Sequence, residues 1–119
     1  METREMESLE ARKKELQAKL SEFQLGGWVI ARTCSAGVFA GRLHCRMGRE
    51  VILKEARRLW CWSGAASLSQ LSIDGPQDKD GCKFPEAVSE VLLTETIEVL
   101  PLTNKAKAKI DEVPVWRKE

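Results

Sequence analysis

The sequence predicts a mainly β, α+β domain: an N-terminal amphipathic helix, then a small, strongly bent antiparallel sheet or barrel. Three observations predict it. Apolar residues recur at helical spacing up to a Gly-Gly break, the period then changes to two, and no βαβ alternation follows. With 119 residues, 43% of them hydrophobic, the chain supports one globular domain and an appendage rather than two domains.

Residues 3–24 read as one helix, with Met6, Leu9, Leu16, Leu20 and Phe23 along a stripe and Lys13 in its one polar slot. Glu10–Lys14 and Glu15–Lys19 add favourable i, i+4 pairs. Gly26-Gly27 ends the helix, because glycine accepts the left-handed backbone that follows a last turn. The stripe is longer than so small a domain can cover, which points to self-association through residues 1–26. Packing on its own domain is the alternative.

The β domain is expected over 27–103. Trp28, Ile30 and Arg32 alternate with Val29, Ala31 and Thr33 as a first strand. Small residues at 34–37 break it, and 38–45 read as a second strand in which Gly41 marks a bend or a close backbone approach. Met47-Gly48 is a tight turn into a third strand at 50–53. Residues 59–62 and 67–73 are further strand candidates, and 74–81 is an acidic loop where disorder is expected. Strands at 90–93 and 96–100 close the sheet, and Pro101 stops the last. The tail, 104–119, has a lysine-rich helical turn (Lys105, Lys107, Lys109) before Val113-Pro114-Val115-Trp116, which is apolar enough to dock on a neighbouring surface.

The formal net charge of +1 conceals a segregation. Residues 27–73 carry seven basic side chains, six of them arginine, against two acidic; residues 74–103 carry seven acidic against two basic. Arginine's planar fork suits bidentate phosphate contacts and ring stacking. The overall balance is too even for wrapping long nucleic acid, so a small anion in a local basic pocket fits better. Contact between the basic face of one subunit and the acidic face of the next is the structural alternative. The polar N-terminus and the lack of a long apolar run argue against a membrane span or a secretory signal, and make the cytoplasm the expected location.

Cys34, Cys45, Cys61 and Cys82 form no CxxC pair and His44 is the only histidine, so no metal or other cofactor is expected. His44 and Cys45 are adjacent and face opposite sides of a strand, which prevents them from acting as a nucleophile–base pair. No phosphate-binding Gly-rich loop, HExxH or dinucleotide fingerprint occurs, and no catalytic residue is assigned.

Binding chemistry concentrates at 56–66. In an extended segment Arg58, Trp60 and Trp62 share one side, presenting a guanidinium and two indoles to a phosphorylated, base-bearing ligand. Arg57 is the alternative cation, and burial of one tryptophan in the core competes with this reading. Ser35 and Gly37, in the small-residue break, can cradle a phosphate, with Arg32 just before them supplying charge; a plain bend between two strands is the alternative.

Three segments carry a resemblance: Arg32-Thr33-Cys34-Ser35-Ala36-Gly37-Val38, Ala56-Arg57-Arg58-Leu59-Trp60-Cys61-Trp62-Ser63-Gly64-Ala65, and Leu93-Thr94-Glu95-Thr96-Ile97-Glu98-Val99-Leu100-Pro101. Together they resemble a family of short proteins encoded mostly by bacteriophages, over residues 28–117. The resemblance implies a viral accessory protein in the host cytoplasm rather than a metabolic enzyme. By type it is similar to phage nucleotide sponges, which sequester cyclic oligonucleotides or cyclic ADP-ribose variants made by bacterial immune systems. The expected function is therefore a homo-oligomer that captures such a signal without cleaving it at Arg32, Ser35, Gly37, Arg57, Arg58, Trp60 and Trp62. Residues 37–43 and 49–59 are similar in rhythm to the second and third strands of Sm- or SH3-like barrels, so an Sm-like oligonucleotide-binding ring is one alternative, and a phage assembly or protein-interaction module is the other.

Overall fold

The computed structural model describes residues 7–15 and 25–118. Residues 7–15 form a helix, α1, with exposed side chains, and the remainder of the helix expected over 3–24 lies outside the described residues. Then come β1 (Trp28–Thr33), β2 (Val38–Met47), β3 (Glu50–Arg58), α2 (Leu68–Asp74), a 3-10 turn (Lys79–Gly81), β4 (Val88–Leu93), β5 (Thr96–Pro101) and α3 (Asn104–Glu112). The five strands make one antiparallel sheet in the order β4-β3-β2-β1-β5. The fold is mainly β with flanking helices, an open sheet whose edges are β4 and β5.

Only Thr94 and Glu95 separate those two edges in sequence. At about 3.8 Å per residue, Leu93 and Thr96 lie within about 11 Å of each other, so the sheet has to curl until its edges approach at that corner. Two backbone bonds pin the corner: Thr96 N donates to Arg49 O at 3.0 Å, and Cys34 N donates to Glu95 O at 3.0 Å. The curl comes from register shifts between Ala40 and Arg42, Leu43 and Cys45, and Arg32 and Thr33. Gly41 sits at the first of them, where a Cβ would lie 3.1 Å from Lys54 O and 3.2 Å from Ala56 Cα. Opposite it, Glu55 takes a positive φ of 52° as the extra residue of the bulged strand.

Alternation along the strands divides the interior in two. Val29, Ala31, Phe39, Leu43, Val51, Leu53, Ala56 and Leu93 form a cluster made by the sheet alone. Ile30 and Ala40, on the other face, pack with Leu59, Leu71, Phe84, Leu102, Ala106, Ile110 and Val113 from the helices and connections.

Several local expectations are corrected. The strand expected over 67–73 is instead helix α2, Leu68–Asp74, with Ser67 as its N-cap. Ser67 Oγ accepts from Gln70 N at 3.2 Å and Gln70 Oε1 accepts from Ala66 N at 2.8 Å, a reciprocal cap that starts the helix. Residues 59–62 make no strand beyond an isolated bridge between Cys61 and Lys83, because the chain leaves the sheet once Leu59 enters the second cluster. The acidic loop is pinned: Gly75 and Pro76 are buried, and Asp78 accepts from Ser63 Oγ at 3.1 Å and Gly81 N at 3.3 Å. The tail docks on its own domain, where Val115 bridges Phe84 and Trp116 N donates to Phe84 O at 2.9 Å.

The charge segregation also finds a local cause. The basic strands β1 and β3 lie beside the acidic edge strands β5 and β4, so Arg32 pairs with Glu98 at 2.6 Å and Lys54 with Glu90 at 4.0 Å across neighbouring strands. Arg42 pairs with Glu55 at 2.7 Å and Lys105 with Asp74 at 3.4 Å. These are exposed pairs, worth about 0–1 kcal/mol each, and two cations of the basic block, Arg32 and Lys54, meet carboxylates of the acidic segment in them.

Candidate functional site

Where β2 begins and β3 ends, the chain forms an open hollow of about 480 Å³, lined by Ser35, Ala36, Gly37 and Val38 on one side and Arg58, Leu59, Trp60 and Trp62 on the other. Its two walls are joined by Leu59 N donating to Val38 O at 2.8 Å. The first wall is a closed turn, with Thr33 N and Oγ1 donating to Gly37 O at 3.0 and 2.7 Å. Gly37 takes a φ of +97° there, a conformation that disfavours any side chain.

The second wall is held by paired backbone bonds. Cys61 N donates to Lys83 O at 3.3 Å and Lys83 N to Cys61 O at 2.7 Å, which keeps 60–62 extended and brings both indoles to the hollow. Trp62 is half-buried and packs against the second cluster, whereas Trp60 is 65% exposed. The Arg58 guanidinium lies over the Phe39 ring at 4.7 Å from its centroid, and among the described residues no carboxylate forms an ion pair with it. The hollow therefore combines one cation with two π-faces, one rigidly seated and one open to solvent.

Five of the seven expected residues meet here: Ser35, Gly37, Arg58, Trp60 and Trp62. Ser35 does so with its hydroxyl engaged, Oγ donating to Glu95 Oε2 at 3.1 Å. The Glu95 carboxylate repels an anion from that rim and leaves Arg58 as the phosphate end. Arg32 does not line the hollow; its Nε donates to Glu98.

Arg57 is elsewhere altogether. Its neighbour in the strand faces the opposite side of the sheet, so Arg58 at the hollow places Arg57 under α3. Nε donates to Pro85 O at 2.9 Å, Nη1 to Ile110 O at 2.9 Å, and Nη2 to Phe84 O, Val113 O and Pro114 O at 3.1, 2.8 and 3.3 Å. Burial lowers its pKa from the ordinary guanidinium value, with nearby Asp111 opposing that shift. Arg57 binds the chain's own carbonyls and is a structural residue.

Two side chains at the site were not assigned to it from the sequence. Trp116 stands beside Trp60, ring centroids 6.0 Å apart and tilted by 36°, and Lys83 Nζ lies 5.8 Å from the Trp116 centroid. The sequence signal was the apolar tail around Val115, whose docking partner is Phe84 of the same chain.

The thiols separate cleanly by environment. Cys34, Cys45 and Cys61 are exposed, while Cys82 is buried and accepts from Ser63 N at 3.4 Å. Burial raises the Cys82 pKa, keeping it as the unreactive neutral thiol. Titration of the native protein with a thiol reagent should modify the three exposed cysteines and reach the fourth only after denaturant is added. Modification of all four at one rate in native buffer would contradict this placement of Cys82.

Among the described residues no helix is long and apolar enough to cross a membrane. The sequence profile of a family described as a domain of unknown function (DUF6948) matches residues 26–110, which spans the sheet, α2 and most of α3. No curated protein and no solved structure gives a significant match.

Proposed function

The chain belongs to the DUF6948 family, and from the chemistry of the hollow we propose that it is a binding protein that captures a small nucleotide without cleaving it. The observation that carries this reading is the convergence of Arg58, Trp60 and Trp62 on one hollow of about 480 Å³. A base stacks on the indoles, worth about 1–3 kcal/mol, and its phosphate meets the guanidinium. A hollow of this size matches the small-molecule range. The resemblance to short bacteriophage proteins makes a nucleotide signal of host immunity the ligand class, and sequestration in the host cytoplasm the consequence. Assembly into a homo-oligomer belongs to the same proposal, with the exposed 7–15 helix as its starting point.

A second reading is an Sm-like ring that binds oligonucleotides. The strand order and the two-residue corner between β4 and β5 favour it, because that curl is what closure of a small barrel needs. Such a ring binds longer strands with a steep salt dependence, which a pocket for a compact ligand lacks.

A thermal-shift panel of cyclic di- and trinucleotides, cyclic ADP-ribose isomers and short RNA tests the first reading. A ligand with Kd near 1 nM, supplied at about 1 µM, stabilises by about 4 kcal/mol, and heat release should return it chemically intact. Recovery of hydrolysed product would make the protein an enzyme. No shift with any nucleotide, together with unchanged tryptophan fluorescence, would remove nucleotide capture.

A further inference from the structure

We infer that the captured ligand carries two bases, one lodged against Trp60 and Trp62 and the other against Trp116, so that a dinucleotide straddles the Trp60–Trp116 pair. This rests on the nucleotide-capture reading and narrows it, since it separates two-base messengers from one-base ones such as cyclic ADP-ribose. The observation is a second hollow of about 470 Å³, lined by Pro85, Trp116, Arg117 and Lys118. It adjoins the first through the indole pair, because Trp60 lines one hollow, Trp116 lines the other, and their centroids are 6.0 Å apart.

Both rings are open to a ligand: Trp60 is 65% exposed and Trp116 46%. Neighbouring exposed indoles leave apolar area in water, and stacking of bases is a sequence-tolerant way to cover it. The tail holds Trp116 in place through its own N–H on Phe84 O, so the second hollow is built by docking of the tail rather than by the sheet.

Charge follows the same track. Arg58 serves the first hollow, Lys83 approaches the Trp116 ring at 5.8 Å, and Arg117 and Lys118 border the second hollow. Arg117 contacts Glu86 at 3.9 Å, with both side chains about two-thirds exposed at 67% and 64%, a long contact that a phosphate readily displaces. Carboxylates therefore flank the track at both ends, Glu95 beside Ser35 and Glu86 beside Arg117. The linking phosphate belongs between them, near Lys83. A one-base ligand fills one hollow and leaves Trp116 unused.

Calorimetric titration of the full chain with adenosine monophosphate, linear pApA and cyclic di-AMP tests this. At least one dinucleotide should bind ten or more times tighter than the monophosphate. Trp116→Ala should cost that dinucleotide about tenfold more than it costs the monophosphate, the equivalent of about 1.4 kcal/mol. Trp116→Phe, which keeps a π-face and the tail's packing, should retain most of the gain. Equal affinities for one and two bases would overturn the inference while leaving capture intact. So would a Trp116→Ala loss shared equally by all three ligands. Failure of all three to bind the wild-type chain would overturn both the inference and the capture reading for adenine nucleotides.

Discussion

Replacing Arg57 by methionine should lower the unfolding free energy by about 3–5 kcal/mol, measured as a shift of the urea midpoint. Methionine preserves much of the side-chain length and apolar stem, so the loss isolates the guanidinium. That group donates to five carbonyls, from Phe84, Pro85, Ile110, Val113 and Pro114, and so ties β3 to the end of α3 and to both sides of the tail's docking strip. Phe84 O and Ile110 O keep the N–H groups of Trp116 and Val113, but Pro85 O, Val113 O and Pro114 O lose the guanidinium donor, and a buried carbonyl left unsatisfied costs more than the original bond contributed. Arg57→Lys should recover only part of the loss, since an ammonium on a single stem cannot serve donors spread over the width of the fork. For a domain of this size the change is a large share of a total stability of about 5–15 kcal/mol. A midpoint shift worth less than about 1 kcal/mol would show that solvent or rearranged backbone replaces the guanidinium, and the locking role would be withdrawn.

The same residue marks the boundary between what the sequence discloses and what it withholds. The alternation of side chains in a strand means that adjacent Arg57 and Arg58 serve opposite faces, and that much is written in their positions. Which face holds the hollow is not, because it depends on where α3 and the tail come to rest, through contacts 27 to 57 residues away in sequence. Trp60 and Trp62 sharing a side followed from an extended backbone; the bridge from Cys61 to Lys83 that keeps it extended did not. Local grammar accounts for the remaining differences. Ser67 three residues before Gln70 is the signature of a helix start, and the apolar positions Leu68, Leu71 and Ile73, spaced three and two apart, do not by themselves separate helix from strand. The run of cations before residue 74 and of anions after it looked like two faces. Folding interleaves them, since β5 returns beside β1 and β4 beside β3. Pairing partners in a sheet are long-range facts, and a count of charges along the chain cannot anticipate them.

Arg58→Glu should abolish nucleotide capture, lowering affinity by about 100-fold or more, while changing stability by less than about 1 kcal/mol. The two effects separate because, among the described residues, the guanidinium's contact is stacking over Phe39 at 4.7 Å, and such exposed contacts contribute about 0.5–1 kcal/mol. Its interaction with phosphate is charge-assisted, worth about 1.5–3 kcal/mol, and the reversal adds repulsion to the loss. With Glu95 already on the opposite rim, a second carboxylate leaves the hollow with anions at both ends. Arg58→Gln, neutral but able to donate, should fall between the two. Trp62→Ala should also weaken binding, but it removes an indole that packs against the second cluster, so its effect mixes stability with affinity. The charge-reversal variant avoids that ambiguity and is read by titration against a ligand found in the thermal-shift panel. Wild-type affinity in a well-folded Arg58→Glu protein would mean that the phosphate does not meet this arginine, and the hollow beside Trp60 would lose its claim as the binding site.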